Sequence, residues 1–128
     1  MLGGTEYFFD SYAILARIFG AEGYADFSTS NGVTTLLNLM EVQYSLYRRG
    51  LKDEGIRGLL KEIRPMCIGF SDDDCYEAVK FRYGNRRKGL SYIDCLGYVL
   101  AKKNRVLFLT GDKGFEGLPN VKFVKWQE

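Results

Sequence analysis

Apolar positions along the chain alternate between short continuous runs and longer stretches with helical spacing. The short runs predict four β-strands, within residues 6–10, 66–70, 106–109 and 121–124. Between them, apolar residues recur every three or four positions, which predicts helices over residues 12–19, 33–50, 51–64, 72–84 and 91–103. Strands that alternate with helices pair in parallel through right-handed crossovers. The pattern therefore predicts an α/β domain with helices on both faces of a central parallel sheet.

One apolar stripe on the helix predicted over residues 33–50 has the spacing of a buried face. Its members are Val33, Leu36, Leu37, Met40, Tyr44 and Tyr47. Glu41 lies within the same stripe, where a carboxylate is costly to bury unless something pairs with it. We therefore expect Glu41 to bind a ligand.

Length and composition narrow the class of protein. At 128 residues the chain suits a single domain over residues 1–128, since no linker, repeat or low-complexity stretch divides it. Its 18 basic and 16 acidic residues give a net charge of +2, which is too near neutral to indicate a nucleic-acid binder by itself. The three cysteines form no CxxC pair, which is typical of reduced thiols in a cytoplasmic protein.

Two absences from the sequence exclude whole classes of function. No apolar stretch is long enough to cross a bilayer, so we expect no membrane association. The chain contains no histidine, which excludes a Ser/His/Asp triad and a histidine-ligated zinc site. Proton transfer would have to use carboxylates, Lys, Tyr or metal-bound water.

Four acidic residues from remote segments are candidates for one pocket: Asp10, Glu41, Asp94 and Asp112. Asp10 and Asp112 follow two predicted strands, and ligands of parallel sheets bind beyond the carboxyl ends of the strands. Carboxylates that lie close together resist ionisation unless a divalent cation is shared among them. The set therefore predicts a site for Mg²⁺ or Mn²⁺.

Local structure offers another interpretation for three of these acids. Asp10 can cap the helix that follows it, although Ser11 is also suited to that position. Asp94 fits a capping box with Ser91, and Asp112 fits a turn. Each motif alone is weak, and the coincidence of all of them in one chain favours a functional site.

The ordered set of motifs resembles the PIN domain and, within it, the VapC-type toxin ribonucleases. The matching residues are Asp10-Ser11, Glu41, Ser91 with Asp94, and Thr110-Gly111-Asp112 with Phe115, and they span nearly the whole chain. The resemblance implies a three-layer α/β/α sandwich, Mg²⁺ or Mn²⁺ held by the four acids, and hydrolysis of RNA by metal-activated water. It also implies a homodimer that is silenced by a cognate antitoxin protein. Gly114 stands where some relatives carry a further acid, which leaves four acids for the metal.

Further residues are assigned from their position beside these acids. The hydroxyls of Ser11 and Thr110 are candidates for supporting the ligands or contacting phosphate, with local capping as the alternative. RNA phosphates are candidates to be bound by Arg86, Arg87, Lys88 and Lys113, with a solvated helix end as the alternative.

Three other functions remain open at this point. A housekeeping RNA-processing nuclease and a catalytically silent PIN-like scaffold would share the same motifs. A receiver-type signalling domain also gathers acids at strand ends and binds Mg²⁺, but it usually has adjacent acids on its first strand. Phe9-Asp10-Ser11 provides only one.

Overall fold

The structure is a computed structural model that describes residues 7–126, apart from the side chain of Ser30. Its strands are β1 (Tyr7–Phe9), β2 (Gly32–Val33), β3 (Leu107–Thr110) and β4 (Val121–Phe123). Its helices are α1 (Ser11–Ile18), α2 (Leu36–Arg48), α3 (Asp53–Ile63), α4 (Asp72–Gly84) and α5 (Tyr92–Lys103). Within residues 7–126 no helix is long and apolar enough to span a membrane.

The four strands form one parallel sheet in the order β2-β1-β3-β4. β1 lies in the middle of the sheet, where Phe8 pairs with Phe108 and Phe9 pairs with Leu109. The carboxyl ends of β1 and β3 therefore meet at the same edge. The predicted parallel sheet is confirmed, and the part of the first predicted strand at Glu6 lies outside the described residues.

Side chains alternate across the sheet and build a separate core on each face. Phe9 and Leu109 pack with the buried residues of α1, α2 and α3. Phe8 and Phe108 pack with those of α4 and α5. Gly97 permits the close approach of α5, because a Cβ there would lie 2.8 Å from the ring of Phe8. The expected three-layer α/β/α sandwich is confirmed.

The prediction of a strand at residues 66–70 is wrong. The chain forms a 3₁₀ turn at Arg64–Met66, and only Cys67 then makes a bridge, with Thr34. The strand that lies beside β1 is instead β2, in a segment predicted as loop and helix start. A two-residue strand has no hydrophobic period to detect, so the sequence pattern does not show it.

The predicted inner face of α2 is also wrong. The residues buried against the sheet are Leu39, Val42 and Leu46. The stripe predicted to be inside is largely exposed, with relative accessibilities of 50% for Leu36, 58% for Met40 and 67% for Tyr44. Apolar residues occupy both sides of this helix, and periodicity alone does not tell which side packs on the sheet. Val33, predicted to begin the helix, belongs to β2.

Candidate active site

The four predicted acids converge on one open cleft at the carboxyl edge of the sheet. Asp10 follows β1 and Asp112 follows β3, while Asp94 lies in the first turn of α5 and Glu41 in the middle of α2. All four line the cleft together with Ser11, Tyr12, Leu15, Lys113 and Lys125. The structure thus brings together side chains from four separate elements, and their role as metal ligands stays a prediction.

Asp10 is the most deeply buried of the acids, with 2% of its surface exposed. Its Oδ1 accepts a hydrogen bond from the Ala13 N–H at 2.8 Å, and its Oδ2 accepts one from the Thr110 hydroxyl. Burial, with a smaller contribution from the neighbouring charges of Asp94 and Asp112, raises the pKa of Asp10 to about 8, although the two hydrogen bonds oppose the rise. Asp10 therefore holds a proton near neutral pH unless positive charge enters the cleft.

Of the two residues suited to the N-cap of α1, Asp10 occupies it, and Ser11 is the first residue of the helix. The backbone of Asp10 is extended and its side chain satisfies an N–H of the first turn, as an N-cap requires. The Asp10 carboxylate therefore both caps α1 and lines the cleft.

Ser11 holds Glu41 in the cleft. Its hydroxyl donates to Glu41 Oε1 at 2.5 Å and accepts from the side-chain amide of Asn38 at 3.1 Å. The Thr35 hydroxyl in turn donates to Asn38 Oδ1 at 2.6 Å. Burial raises the pKa of Glu41, although the Ser11 hydrogen bond opposes this and Asp94 adds to it. Sequence reasoning missed Asn38, whose one signal is a polar residue at a buried position of α2.

Asp94 and Asp112 are held by nearby backbone groups. Asp94 forms the predicted capping box, in which its Oδ2 accepts from the Ser91 N–H at 2.8 Å. Asp112 Oδ1 accepts from the Gly114 N–H at 3.0 Å. Burial raises the pKa of Asp94, and Asp112 contributes to the rise. The local interpretation and the functional one are both compatible with these geometries.

The donor set of the cleft suits a hard divalent cation. All four groups are carboxylates, and Mg²⁺ prefers oxygen ligands. Within residues 7–126, hydrogen bonds engage one oxygen each of Glu41, Asp94 and Asp112, which leaves the second oxygen of each for an ion. In the part of the chain that the structure describes, no three His, Cys, Asp or Glu side chains are close enough to hold one ion together. The residues fit a cation by their chemistry, and side chains would have to close around it.

Basic residues are distributed unevenly around the cleft. Lys113 lines it as expected, and Lys125 does so as well. The segment Arg86–Lys88 forms a 3₁₀ turn that surrounds a separate surface depression and is not among the residues that line the cleft. Arg86 donates to the Tyr83 carbonyl at 2.7 Å, near the end of α4. Sequence reasoning missed Lys125 because no motif marks it.

Solved structures resemble this architecture closely, whereas no family model and no curated protein matches the sequence. A toxin–antitoxin complex from Klebsiella pneumoniae superposes with a TM-score of 0.73 at 18% identity, over 91% of this chain and 96% of that one. VapBC2 from Rickettsia felis, bound to a DNA fragment from its promoter, superposes with a TM-score of 0.68 at 20% identity, over 96% of this chain and 100% of that one. The chain has the fold of VapC-type PIN domains.

A third solved structure shows the same likeness. PAE2754 from Pyrobaculum aerophilum superposes with a TM-score of 0.66 at 18% identity, over 94% of this chain and 90% of that one. At such identities the likeness concerns the fold. The PIN-type fold expected from the motifs is thereby confirmed, and the acidic cleft lies at the sheet edge where parallel α/β folds bind their ligands.

Proposed function

We propose that this PIN-fold chain is a Mg²⁺- or Mn²⁺-dependent endoribonuclease and the toxin of a toxin–antitoxin pair. The observation that carries the proposal is the convergence of four carboxylates from four elements on one open cleft. Carboxylates that share a cleft repel one another, and the burial of Asp10 further disfavours its ionised form, so the arrangement favours a bound counter-charge. The likeness to a toxin–antitoxin complex and to VapBC2 supports the toxin assignment.

The four acids would hold the ion directly or through water: Asp10, Glu41, Asp94 and Asp112. A divalent cation bound there would offset charge on the phosphate and lower the pKa of a coordinated water. The chain's own hydrogen bonds keep the carboxylates in place, since Thr110 and the Ala13 N–H hold Asp10 while Ser11 holds Glu41. Lys113, next to Asp112, supplies positive charge to an RNA phosphate.

Cleavage of labelled single-stranded RNA by purified protein tests this proposal. We expect cleavage with Mg²⁺ or Mn²⁺ and none in EDTA. Asp94→Asn should lower the rate on the order of 100-fold, because the cleft loses one ligand charge. Asp74→Asn is the control, since Asp74 forms the same capping box on α4 and does not line the cleft. This variant also loses the ion pair of Asp74 with Lys103, so it tests a larger local change outside the cleft.

Metal binding provides a second measurement that is independent of cleavage. Mn²⁺ should raise the thermal midpoint of unfolding of the wild type by mass action and raise that of Asp94→Asn less. Undiminished cleavage in EDTA would exclude the metal mechanism. Equal loss of activity in the Asp94 and Asp74 variants would show that a capping box matters and the cleft does not. Metal binding without any RNA cleavage would favour the silent PIN-like scaffold.

The proposed partners are a cognate antitoxin and a second copy of this chain. Exposed apolar stripes on α2 and α4 support such contacts, and they consist of Leu36, Met40, Tyr44, Tyr76, Val79 and Tyr83. A basic antitoxin side chain that enters the acidic cleft would pair with its carboxylates. Expression of the chain alone should arrest growth, and coexpression with the antitoxin should restore it. A protein that cleaves RNA but is harmless when overproduced would instead be a housekeeping RNA-processing nuclease.

A further inference from the structure

The segment after β4 crosses α1 beside the acidic cleft, and we call residues 124–126 the C-terminal strap. The Tyr12 hydroxyl accepts from the Trp126 N–H at 2.5 Å and lies 3.2 Å from the Trp126 carbonyl oxygen. The Tyr24 hydroxyl donates to the Val124 carbonyl at 2.7 Å. Two tyrosines from the first part of the chain thus anchor the backbone of the strap at both of its ends.

Side-chain packing fixes the strap further. The ring of Trp126 stacks on Phe19 with centroids 5.8 Å apart, and the guanidinium of Arg49 lies 5.2 Å from the Trp126 ring. Gly111 leaves room for the strap, because a Cβ there would lie 2.4 Å from the Val124 carbonyl oxygen. The strap therefore packs directly on the loop that leads from β3 to the acidic cleft.

Lys125 is the middle residue of the strap and its exposed cation. Its side chain lines the cleft, and its ammonium lies 5.8 Å from the centroid of the Tyr12 ring. The exposed ammonium thus stands at the open cleft, where its positive charge attracts an incoming anion.

We infer that Lys125 contacts a phosphate of the RNA strand at the rim of the cleft. The inference deepens the proposed nuclease function and rests on it. A cleft of four carboxylates repels a polyanion, so cations at the rim must bind the phosphates that flank the reacting one. Because both neighbours of Lys125 are anchored, its backbone has little further freedom to lose when RNA binds.

RNA affinity and its salt dependence test this inference. We would measure binding of a labelled single-stranded RNA by fluorescence anisotropy in Mg²⁺, in the Asp94→Asn background to prevent cleavage. Lys125→Gln should weaken binding roughly fivefold and reduce the slope of log affinity against log salt by about 0.7, the value for one lost phosphate contact. Lys125→Arg should retain most of the RNA affinity and most of its salt dependence. Lys122→Gln is the matched control, an exposed lysine on β4 that does not line the cleft.

A second variant tests whether the strap positions the lysine. Tyr12→Phe keeps the ring but removes the hydroxyl that contacts Trp126. It should reproduce part of the loss in RNA affinity, and the double variant Tyr12→Phe/Lys125→Gln should bind no more weakly than Lys125→Gln alone. If the strap has only a structural role, Tyr12→Phe should lower the thermal midpoint of unfolding and leave the RNA affinity unchanged.

The outcomes separate this inference from the proposed function. Wild-type protein that cleaves RNA, with Lys125→Gln and Lys122→Gln equal in affinity and salt slope, would overturn the role of Lys125 and leave the nuclease standing. Wild-type protein that neither binds nor cleaves RNA would overturn both. In the cleavage-competent protein, Lys125→Gln should raise KM more than it lowers kcat, as loss of a substrate contact does.

Discussion

Two pairs of acids meet in the cleft, and they are held there in different ways. Asp10 and Glu41 are oriented by the hydroxyls of Thr110 and Ser11, which are 100 and 30 residues away in sequence. Asp94 and Asp112 are oriented by backbone N–H groups only three and two residues away. Asp10 also accepts from the Ala13 N–H three residues away, so the first pair depends on long-range hydroxyls in addition to a helix start. The second pair depends on a helix start and a turn.

The two pairs also differ in what surrounds them. The Asp10 carboxyl is closed off from water and its pKa is raised to about 8 by burial. The side-chain amide of Asn38, also buried, supports Ser11 on the Glu41 side. A long-range network in a dry environment is costly to leave half satisfied, while a capping box at a partly exposed helix end tolerates change. We therefore expect changes on the Asp10 and Glu41 side to have larger effects than changes on the Asp94 and Asp112 side, and three experiments test this expectation.

The largest expected effect is a dependence of stability on pH in the metal-free protein. Because the pKa of Asp10 is raised from 3.8 to about 8, the folded state binds the proton more tightly than the unfolded state. Its contribution to stability is complete below about pH 4 and is lost as the pH rises to about 8, with a slope of up to roughly 1.4 kcal/mol per pH unit. Urea unfolding in EDTA across this range measures the slope.

The Asp10→Asn variant should lose most of that slope while keeping the helix cap, since Asn is also a good N-cap residue. Asp73→Asn, at an exposed carboxylate on α4, should keep the slope of the wild type. Parallel curves for the wild type and Asp10→Asn would mean that Asp10 does not bury its proton in the folded protein.

A smaller effect is expected when the hydrogen bonds of the buried Asn38 side chain are removed. Asn38→Ala removes the side-chain amide that bonds both the Ser11 and the Thr35 hydroxyls, and should lower the free energy of unfolding by about 2 kcal/mol. It should also weaken Mn²⁺ binding, because Ser11 then holds Glu41 less firmly. Asn104→Ala is the control, since that side chain makes one hydrogen bond to a carbonyl four residues earlier and should cost about 1 kcal/mol or less. Equal losses in the two variants would contradict a special role for the network.

The smallest effect is expected for the pair that nearby backbone groups hold, Asp94 and Asp112. Ser91→Ala removes the N-cap hydroxyl of α5 and should cost about 1 kcal/mol, as should Ser71→Ala at the equivalent capping box of α4. Asp94 would still accept from the backbone N–H of residue 91, so RNA cleavage should change little in either variant. A large loss of cleavage in Ser91→Ala alone would show that the hydroxyl, and not the backbone, places Asp94.

The same contrast explains what the sequence could predict. The capping box of Asp94 and the runs that form β1 and β3 involve neighbouring residues, so motif and spacing were sufficient to predict them. The buried side of α2 and the position of Lys125 depend on segments far away in sequence, and no local pattern encodes them. For Asn38, a polar residue among apolar ones was visible, but its partner Ser11 could be identified only in three dimensions.

The order of the strands has a consequence for the chain during synthesis. β1 is made first and β3 is made about a hundred residues later, yet the two are direct neighbours in the centre of the sheet. Contacts between such distant segments form late, because the intervening chain must first be made and ordered. A ribosome-bound fragment that has not yet exposed Asp112 therefore has no complete acidic cleft. Translation that stops between Glu41 and Asp94 releases a polypeptide with Asp10 and Glu41 but without the second half of the site.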